Sequence, residues 1–235
     1  MSKVSDCVQP RRRRPLSLAP LWPFAYQGVA LFCLRHWRNA APWSDLDFFS
    51  GSFFAFTAIL LVYETPLRRG ICDSRETLRE ASGLIYDPAT VAWGGALAVG
   101  DLSVFLDYGH WHLIPALRQP GLQITGLALY ACSMAELMWT DTCLARHFQG
   151  DPNHRQLMTN GPFDVVRHPR YAGLLLAKLG FSLVLASIFA WASMLASVLL
   201  IRRRIRLEEL HLREVFGPRY SNYAERTHRL IPWIY

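Results

Sequence analysis

Apolar residues in this chain are gathered into long blocks separated by short polar segments. The blocks cover residues 15–34, 46–63, 89–106, 122–139 and 171–201. A helix needs about 20 apolar residues to cross a bilayer, and the first four blocks are close to that length. The pattern therefore predicts an all-α integral membrane protein with five to six transmembrane helices, the first of them interrupted by prolines.

The last block is too long for one average helix. Residues 171–201 carry a single charge, Lys178. As one helix rising ~1.5 Å per residue, the block would be ~45 Å long, well beyond a hydrocarbon core of ~30 Å. We therefore expect a break near Ser187, with helices over 171–186 and 188–206. Such a hairpin would return the chain to the side on which it started and bring its two polar flanks together.

The charge distribution favours a membrane surface over nucleic acid as the partner. The formal net charge is +7 and the charged residues are mostly arginines. They flank the apolar blocks and form no continuous stripe, which is typical of cytoplasmic flanks of membrane helices. Arg35 and Arg38 do not follow this rule. The five cysteines are an odd number without metal-ligand spacing, so we expect neither a disulfide framework nor a metal site.

These patterns predict a division into three parts: a basic cytoplasmic tail (1–15), N-terminal transmembrane helices (16–139) and a catalytic region with the hairpin (140–235). Two acids, Asp101 and Glu136, fall inside predicted spans. Acids within a membrane are costly, so they either face the bundle interior or lie near an interface. The sequence leaves both possibilities open. Glycines at 94, 95 and 100 predict close helix contact in their span.

Four short motifs flank the hairpin. They are GPFDVVRHPRYAG at 161–173, the glutamate pair at 208–209, FGPRYSNY at 216–223 and RLIP at 229–232. Together, from about residue 155 to 232, they resemble the isoprenylcysteine carboxyl methyltransferase and phospholipid methyltransferase family. That resemblance implies an integral membrane enzyme that uses S-adenosyl-L-methionine, with a cofactor site formed by a cytoplasmic loop and the C-terminal helix.

The resemblance also implies roles for single residues. Arg204 and Glu208 match catalytic positions, Arg204 facing the methyl acceptor together with Leu175. The positions that match the family's cofactor site are Arg155, Gln156, Leu157, Met158, Phe163, His168, Pro169, Arg170, Tyr171 and Glu208. The family often has tyrosine where this chain has Phe163, which keeps the ring and removes one hydrogen bond.

Local spacing adds to these assignments. Arg204 and Glu208 are four residues apart and share one helix face. Glu209 lies about 100° further round the helix, where we expect only a local salt bridge on a solvated surface. Pro169 suits the first turn of a helix, because its missing N–H would have no partner there.

The chemistry of the acceptor distinguishes the candidate substrates. A carboxylate is already ionised near neutral pH and needs a cation to orient it, whereas an amine must lose a proton to a base. The arginines at 202–204 therefore favour carboxyl O-methylation of a lipophilic, isoprenylcysteine-like or otherwise prenylated substrate. Phospholipid amine N-methylation is the alternative. A sterol-reductase-like enzyme using NADPH and a non-catalytic membrane scaffold are further alternatives, which titration with both cofactors would separate.

Overall fold

The computed structural model describes residues 51–53, 57–58, 88–111, 113–150 and 156–232. In these ranges the fold is all-helical, with short helical pieces at 51–53 and 57–58. Five longer helices follow: α1 (Pro88–Leu106), α2 (Pro120–Gly150), α3 (Pro169–Leu185), α4 (Ile188–Phe216) and α5 (Pro218–Arg226). None of the helices in the described ranges combines the length and the apolar character needed to cross a membrane. The predicted tail and first span lie outside the described residues.

Short helical turns connect the longer helices. A π-helical turn (Asp107–Trp111) follows α1, and a 3-10 turn (Pro115–Leu117) precedes α2. The Asp107 carboxylate accepts a hydrogen bond from the Leu113 N–H at 3.0 Å. The Arg118 guanidinium lies 4.5 Å from the centre of the Tyr108 ring. These contacts fix the approach of the chain to α2.

The break in the apolar hairpin lies where the sequence predicts it. Helix α3 ends at Leu185, Ala186 adopts a left-handed conformation with φ of 47°, and α4 begins at Ile188. The Ser187 hydroxyl caps α4 by accepting a hydrogen bond from the Phe189 N–H at 3.2 Å. Helix α4 continues past the predicted end at 206 as far as Phe216, so it carries both glutamates of the 208–209 pair.

Among the described residues, two apolar clusters make up the core. The larger one joins the helical piece at 51–53 to α1, α2 and α3. The Phe53 ring centroid lies 4.9 Å from that of Tyr130 and 5.2 Å from that of Phe181, and the Phe105 centroid on α1 lies 5.9 Å from that of Phe181. The smaller one lies at the other end of the hairpin. It contains Ile201, Ile205 and Leu230, with Tyr171, Ala172, Leu174 and Leu175 packed against them. The smaller cluster packs against the first turns of α3, next to the polar motif at 161–173.

Close contact between α2 and α3 depends on two facing glycines. A Cβ on Gly180 would lie 2.8 Å from both the Gly126 carbonyl oxygen and the Tyr130 backbone nitrogen. A Cβ on Gly126 would lie 2.6 Å from Leu183 Cβ. Neither position can accept a side chain without separating the helices. The expected close contact at Gly95 and Gly100 does not occur within the described part of the chain, where no atom lies within 4 Å of a Cβ at either position.

The single charge of the hairpin is neutralised inside the bundle. Lys178 on α3 forms a short salt bridge with Asp101 on α1 and donates to the Ser193 hydroxyl on α4 at 3.1 Å. Ser193 in turn donates to the other Asp101 oxygen at 2.5 Å. Asp101 therefore faces the bundle interior, one of the two possibilities left open by the sequence. The three polar side chains join three helices at one level.

Candidate functional site

The first motif forms a compact turn that ends in the N-terminus of α3. Gly161 has φ of +67°, a conformation that glycine adopts without steric cost, and residues Gly161–Asp164 form a 3-10 turn. Pro169 opens α3, as predicted, and His168 is its N-cap residue. The His168 carbonyl accepts hydrogen bonds from the Tyr171 and Ala172 N–H groups, both at 3.1 Å. The backbone thus holds His168 and Tyr171 together in the first turn of α3, with their ring centroids 5.8 Å apart.

The end of the chain docks directly on this turn. Residues 227–230, here called the C-terminal strap, run parallel to the first motif with a β-bridge between Val166 and His228. The Arg167 N–H donates to the His228 carbonyl at 2.7 Å, and the His168 N–H donates to the Arg229 carbonyl at 3.1 Å. Although about 60 residues separate these segments along the chain, their backbones form one unit.

Helix α5 provides a second attachment. Gly217, with φ of +54°, ends α4 and caps α5 in a conformation that favours glycine. The Tyr223 hydroxyl then donates to the Phe163 carbonyl at 2.6 Å. Burial raises the pKa of Tyr223 to about 12, against the opposing charge of Arg167, so the hydroxyl keeps its proton and remains a donor. The glycine and tyrosines of the third motif therefore hold α5 against the first motif.

Glu209 is at the centre of this assembly, and the expectation that it lies on a solvated face is wrong. Its side chain is only 6% exposed. It accepts hydrogen bonds from Arg167 Nε at 3.1 Å and from Arg229 Nε and Nη2 at 3.1 and 2.9 Å. Burial alone would raise the pKa of Glu209, but the close approach of the His168 imidazole, the hydrogen bonds from Arg229 and the charges of both arginines lower it to about 2. Glu209 is thus an ionised, fully engaged carboxylate.

Glu208, the neighbouring residue, has a different environment. Its Oε2 atom lies 3.8 Å from His168 Nδ1 and is shielded from solvent, yet it has no hydrogen-bond partner among the described residues. One turn earlier, the Arg204 guanidinium lies 5.9 Å from the centre of the Tyr171 ring. The structure therefore brings together four of the predicted site residues, two from each side of the hairpin.

An apolar surface adjoins these four polar side chains. Leu175, on the same helix as Tyr171, is half-buried and packs against the cluster of Ile201, Ile205 and Leu230. Ile201 and Ile205 belong to the helix that carries Arg204. A cation and an apolar wall thus occur side by side at this end of the hairpin.

The remaining predicted site residues lie around this centre. Arg170 forms a salt bridge with Asp141 on α2, with Nε 2.8 Å from Oδ1. The carbonyl of Gln156 lies 3.1 Å from His147 Nε2 near the end of α2. Phe163, Leu157 and Met158 are half-buried, and Arg155 lies outside the described residues. Their roles toward a cofactor stay predictions.

The last glycine of the first motif has a packing role that its sequence context did not reveal. A Cβ on Gly173 would overlap the Glu136 carboxylate and lie 3.0 Å from Leu137 Cδ2 on α2. The Thr140 hydroxyl donates to Glu136 Oε1 at 2.8 Å, which holds that carboxylate against α3. Gly173 therefore allows α2 to approach the start of α3 directly below the site.

Comparison with known protein families agrees with this arrangement. The family model described as phospholipid methyltransferase matches residues 120–219. These residues form a phospholipid methyltransferase family domain. The match begins at the first residue of α2, whereas the motifs alone placed the start of the resemblance at about residue 155. Helix α2 therefore belongs to the family domain together with α3, α4 and the start of α5.

The individual relatives are also methyltransferases. Protein-S-isoprenylcysteine O-methyltransferase B of Arabidopsis thaliana is 33% identical over 82 residues, 34% of this chain and 42% of that protein. A probable protein-S-isoprenylcysteine O-methyltransferase of Oryza sativa subsp. japonica is 32% identical over 83 residues, 35% and 44% of the two chains. Methanethiol S-methyltransferase 1 of Bradyrhizobium diazoefficiens is 26% identical over 149 residues, 56% and 51%. The chain thus spans about half or less of the length of each relative.

Proposed function

We propose that this chain is an S-adenosyl-L-methionine-dependent methyltransferase that acts on a lipophilic acceptor. The observation that supports this most strongly is the shielded Glu208 oxygen beside His168 and Tyr171. The Glu208 side chain as a whole is 32% exposed, so a ligand can reach the carboxylate, while the shielded Oε2 lacks a protein hydrogen bond and is a natural binding point for a ligand cation. The family domain and the methyltransferase relatives supply the reaction class.

The chain's own side chains fit such a cofactor. Glu208 offers a carboxylate to its cationic part, and the Tyr171 ring offers an aromatic face, which also attracts cations. The bound cofactor would supply the activated methyl group. The protein's contribution would be to hold donor and acceptor in a reactive geometry, which can account for much of the acceleration of a displacement reaction.

The acceptor is proposed from Arg204 and the apolar wall. Arg204 would bind an acceptor carboxylate through two parallel hydrogen bonds, and Leu175 would contact its apolar part. An isoprenylcysteine-like carboxylate has both features. Phospholipid amine N-methylation is the second candidate, supported by the description of the matched family. A thiol acceptor is a third candidate, suggested by the methanethiol S-methyltransferase relative, and it is tested in the kinetic assay of the Arg204 variants described below.

We further propose that the protein resides in the membrane with its site facing the cytoplasm. One face of α4 supports this, because large apolar side chains at Ile188, Leu195 and Leu199 are 42%, 66% and 51% exposed. The same face continues with the exposed Arg202 and Arg206. An apolar stripe that ends in arginines suits hydrocarbon followed by lipid headgroups.

Cofactor binding is the first test. The purified full chain is titrated by calorimetry with S-adenosyl-L-methionine and, separately, with NADPH. We expect binding of the former, weakened at least ten-fold by Glu208→Gln, because the change removes the charge and keeps the shape. Glu214→Gln, an exposed change on the same helix, is the matched control and should bind like the wild type. Binding of NADPH alone would favour a reductase, and binding of neither would refute an enzyme of either type.

Acceptor recognition is tested at Arg204. Lysine keeps the charge but lacks the planar fork, so Arg204→Lys should lower kcat/KM for a prenylated cysteine analogue while cofactor affinity stays near that of the wild type. Loss of one charge-assisted pair corresponds to roughly 1.5–3 kcal/mol, or about one to two decades in kcat/KM. Arg202→Lys is the control and should remain active. If Arg204→Lys keeps full activity and the enzyme methylates a phospholipid amine or a small thiol, the carboxylate acceptor is refuted and the amine or thiol acceptor is favoured.

A further inference from the structure

Two successive glutamates of α4 face the two ring nitrogens of one histidine. His168 Nδ1 lies 3.8 Å from Glu208 Oε2, and His168 Nε2 lies 3.6 Å from Glu209 Oε1. The imidazole is 3% exposed. Because neighbouring helix positions point about 100° apart, both carboxylates can reach the ring from two directions. Both separations are longer than a hydrogen bond, and Nε2 has no hydrogen-bond partner among the described residues, so the two carboxylates flank the imidazole at close range without bonding to it.

Glu209 binds groups of the protein itself on both of its oxygens. Its Oε1 accepts from Arg167 and Arg229, and its Oε2 accepts from Arg229. Arg167 also donates to the carbonyls of Ala224, at 2.6 Å, and Thr227. These bonds connect α4, the first motif, the end of α5 and the C-terminal strap. A carboxylate so occupied has little capacity left for a ligand.

The backbone of His168 is fixed from the same direction. Its N–H donates to Arg229 in the strap, and its carbonyl accepts from the first turn of α3. The residue that follows Arg229 in the strap, Leu230, is 6% exposed and belongs to the apolar cluster with Ile201 and Ile205. The strap is thus held by an ion pair, by backbone hydrogen bonds and by a buried side chain within four residues.

From this geometry we propose that Glu209 is a positioning residue. Through Arg229 it holds the C-terminal strap against the first motif, a contact that we call the latch, and it orients His168 so that Nδ1 of the ring faces Glu208. In this division, Glu208 receives the ligand cation and Glu209 aligns the histidine beside it. The strap contains no predicted ligand, yet it forms part of the site's framework. The effect on cofactor binding rests on the proposed function, whereas the latch itself does not.

Hydrogen–deuterium exchange of the full chain without cofactor tests the latch. The N–H groups of Arg167 and His168 donate to the strap, so peptides covering 165–172 should exchange slowly in the wild type. We expect Glu209→Gln and Arg229→Ala to accelerate exchange in these peptides at least ten-fold while peptides of α1 and α2 are unchanged. Arg229→Lys, which keeps the charge and loses the double contact, should give an intermediate rate. Unchanged exchange at 165–172 in all three variants would overturn the latch.

Calorimetry with S-adenosyl-L-methionine tests the link to the site. Glu209→Gln and Arg229→Ala should each weaken binding about ten-fold, and the double variant should lose clearly less than the two single losses combined, because both changes remove the contact between Glu209 and Arg229. Glu208→Gln combined with Arg229→Ala should be weaker than either single change. The milder Arg229→Lys keeps the test decisive if a stronger variant does not fold.

The outcomes are separable. Faster exchange with unaltered cofactor affinity, measured well below the unfolding temperature, would show a purely structural ion pair and overturn the positioning role. Additive losses for Glu209→Gln and Arg229→Ala would also overturn it, because they would place the two residues in independent roles. If the wild type binds no cofactor, the proposed function fails together with the positioning role, while the exchange rates still decide whether Glu209 latches the strap.

Discussion

Acid should destabilise the folded chain by protonating one buried carboxylate, that of Glu209. The pKa of Glu209 falls from an ordinary value of 4.5 to about 2 in the folded chain. Since each pKa unit is worth about 1.4 kcal/mol, the ionised Glu209 contributes roughly 3 kcal/mol of stability. The folded-state pKa is the lower one, so this contribution is fully present above pH 4.5 and is lost as the pH falls toward 2. At pH 3 less than half of it should remain.

The free energy of unfolding, measured by denaturant titration at pH 7 and pH 3, tests this. Other carboxylates also titrate, so the informative quantity is the difference between the wild type and Glu209→Gln at each pH. We expect that difference to shrink by about half or more between pH 7 and pH 3. Glu214→Gln, whose side chain is exposed on the same helix, should follow the wild type at both values. A Glu209→Gln difference that is equal at both pH values would refute the reasoning, since it would not come from the ionised group.

Two further predictions concern the bundle. Gly180→Ala should destabilise the fold by roughly 1–3 kcal/mol, because the added Cβ would meet backbone atoms of α2 that cannot rotate away. Gly121→Ala, whose Cβ would meet no atom of the described residues, is the control and should be neutral. Equal thermal stabilities for the two variants would contradict this packing. Removing either member of the Asp101–Lys178 pair should cost about 2 kcal/mol, and Asp101→Asn combined with Lys178→Met should recover part of that loss because no charge is left unpaired. Additive losses in denaturant titrations would show that the pair does not act as a unit.

The hairpin could be predicted because its determinants are local. The apolar length of 171–201 exceeds what one helix needs, and Ser187 is a good helix N-cap within an otherwise apolar stretch. The break therefore followed from length and from one residue. Pro169 at the start of α3 is predictable for the same reason, since its effect is confined to its own turn.

The family match begins earlier in the chain, at residue 120, than the motifs indicated, for a different reason. Helix α2 carries no short motif, and its fit to α3 depends on Gly126 and on Glu136 meeting the motif glycine Gly173. These are contacts between helices, and a single sequence does not show which residues face each other across an interface. Gly95 and Gly100 are also glycines within an apolar helix, yet no atom of the described residues lies within 4 Å of a Cβ at either position.

The burial of Glu209 could not be predicted because all its partners are distant in the sequence. On an isolated helix the spacing of Arg204 and Glu208 is a local signal, and nothing local distinguishes Glu209 from a solvated residue. Its partners, Arg167 and Arg229, are 42 and 20 residues away along the chain and reach it only after the hairpin and the strap have both formed. The interactions that lower the pKa of Glu209 therefore form only in the folded chain. Sequence spacing therefore misassigns a residue such as Glu209, whose partners come close only after the chain has folded, whereas the local spacing of Arg204 and Glu208 is enough to place those two residues on one face.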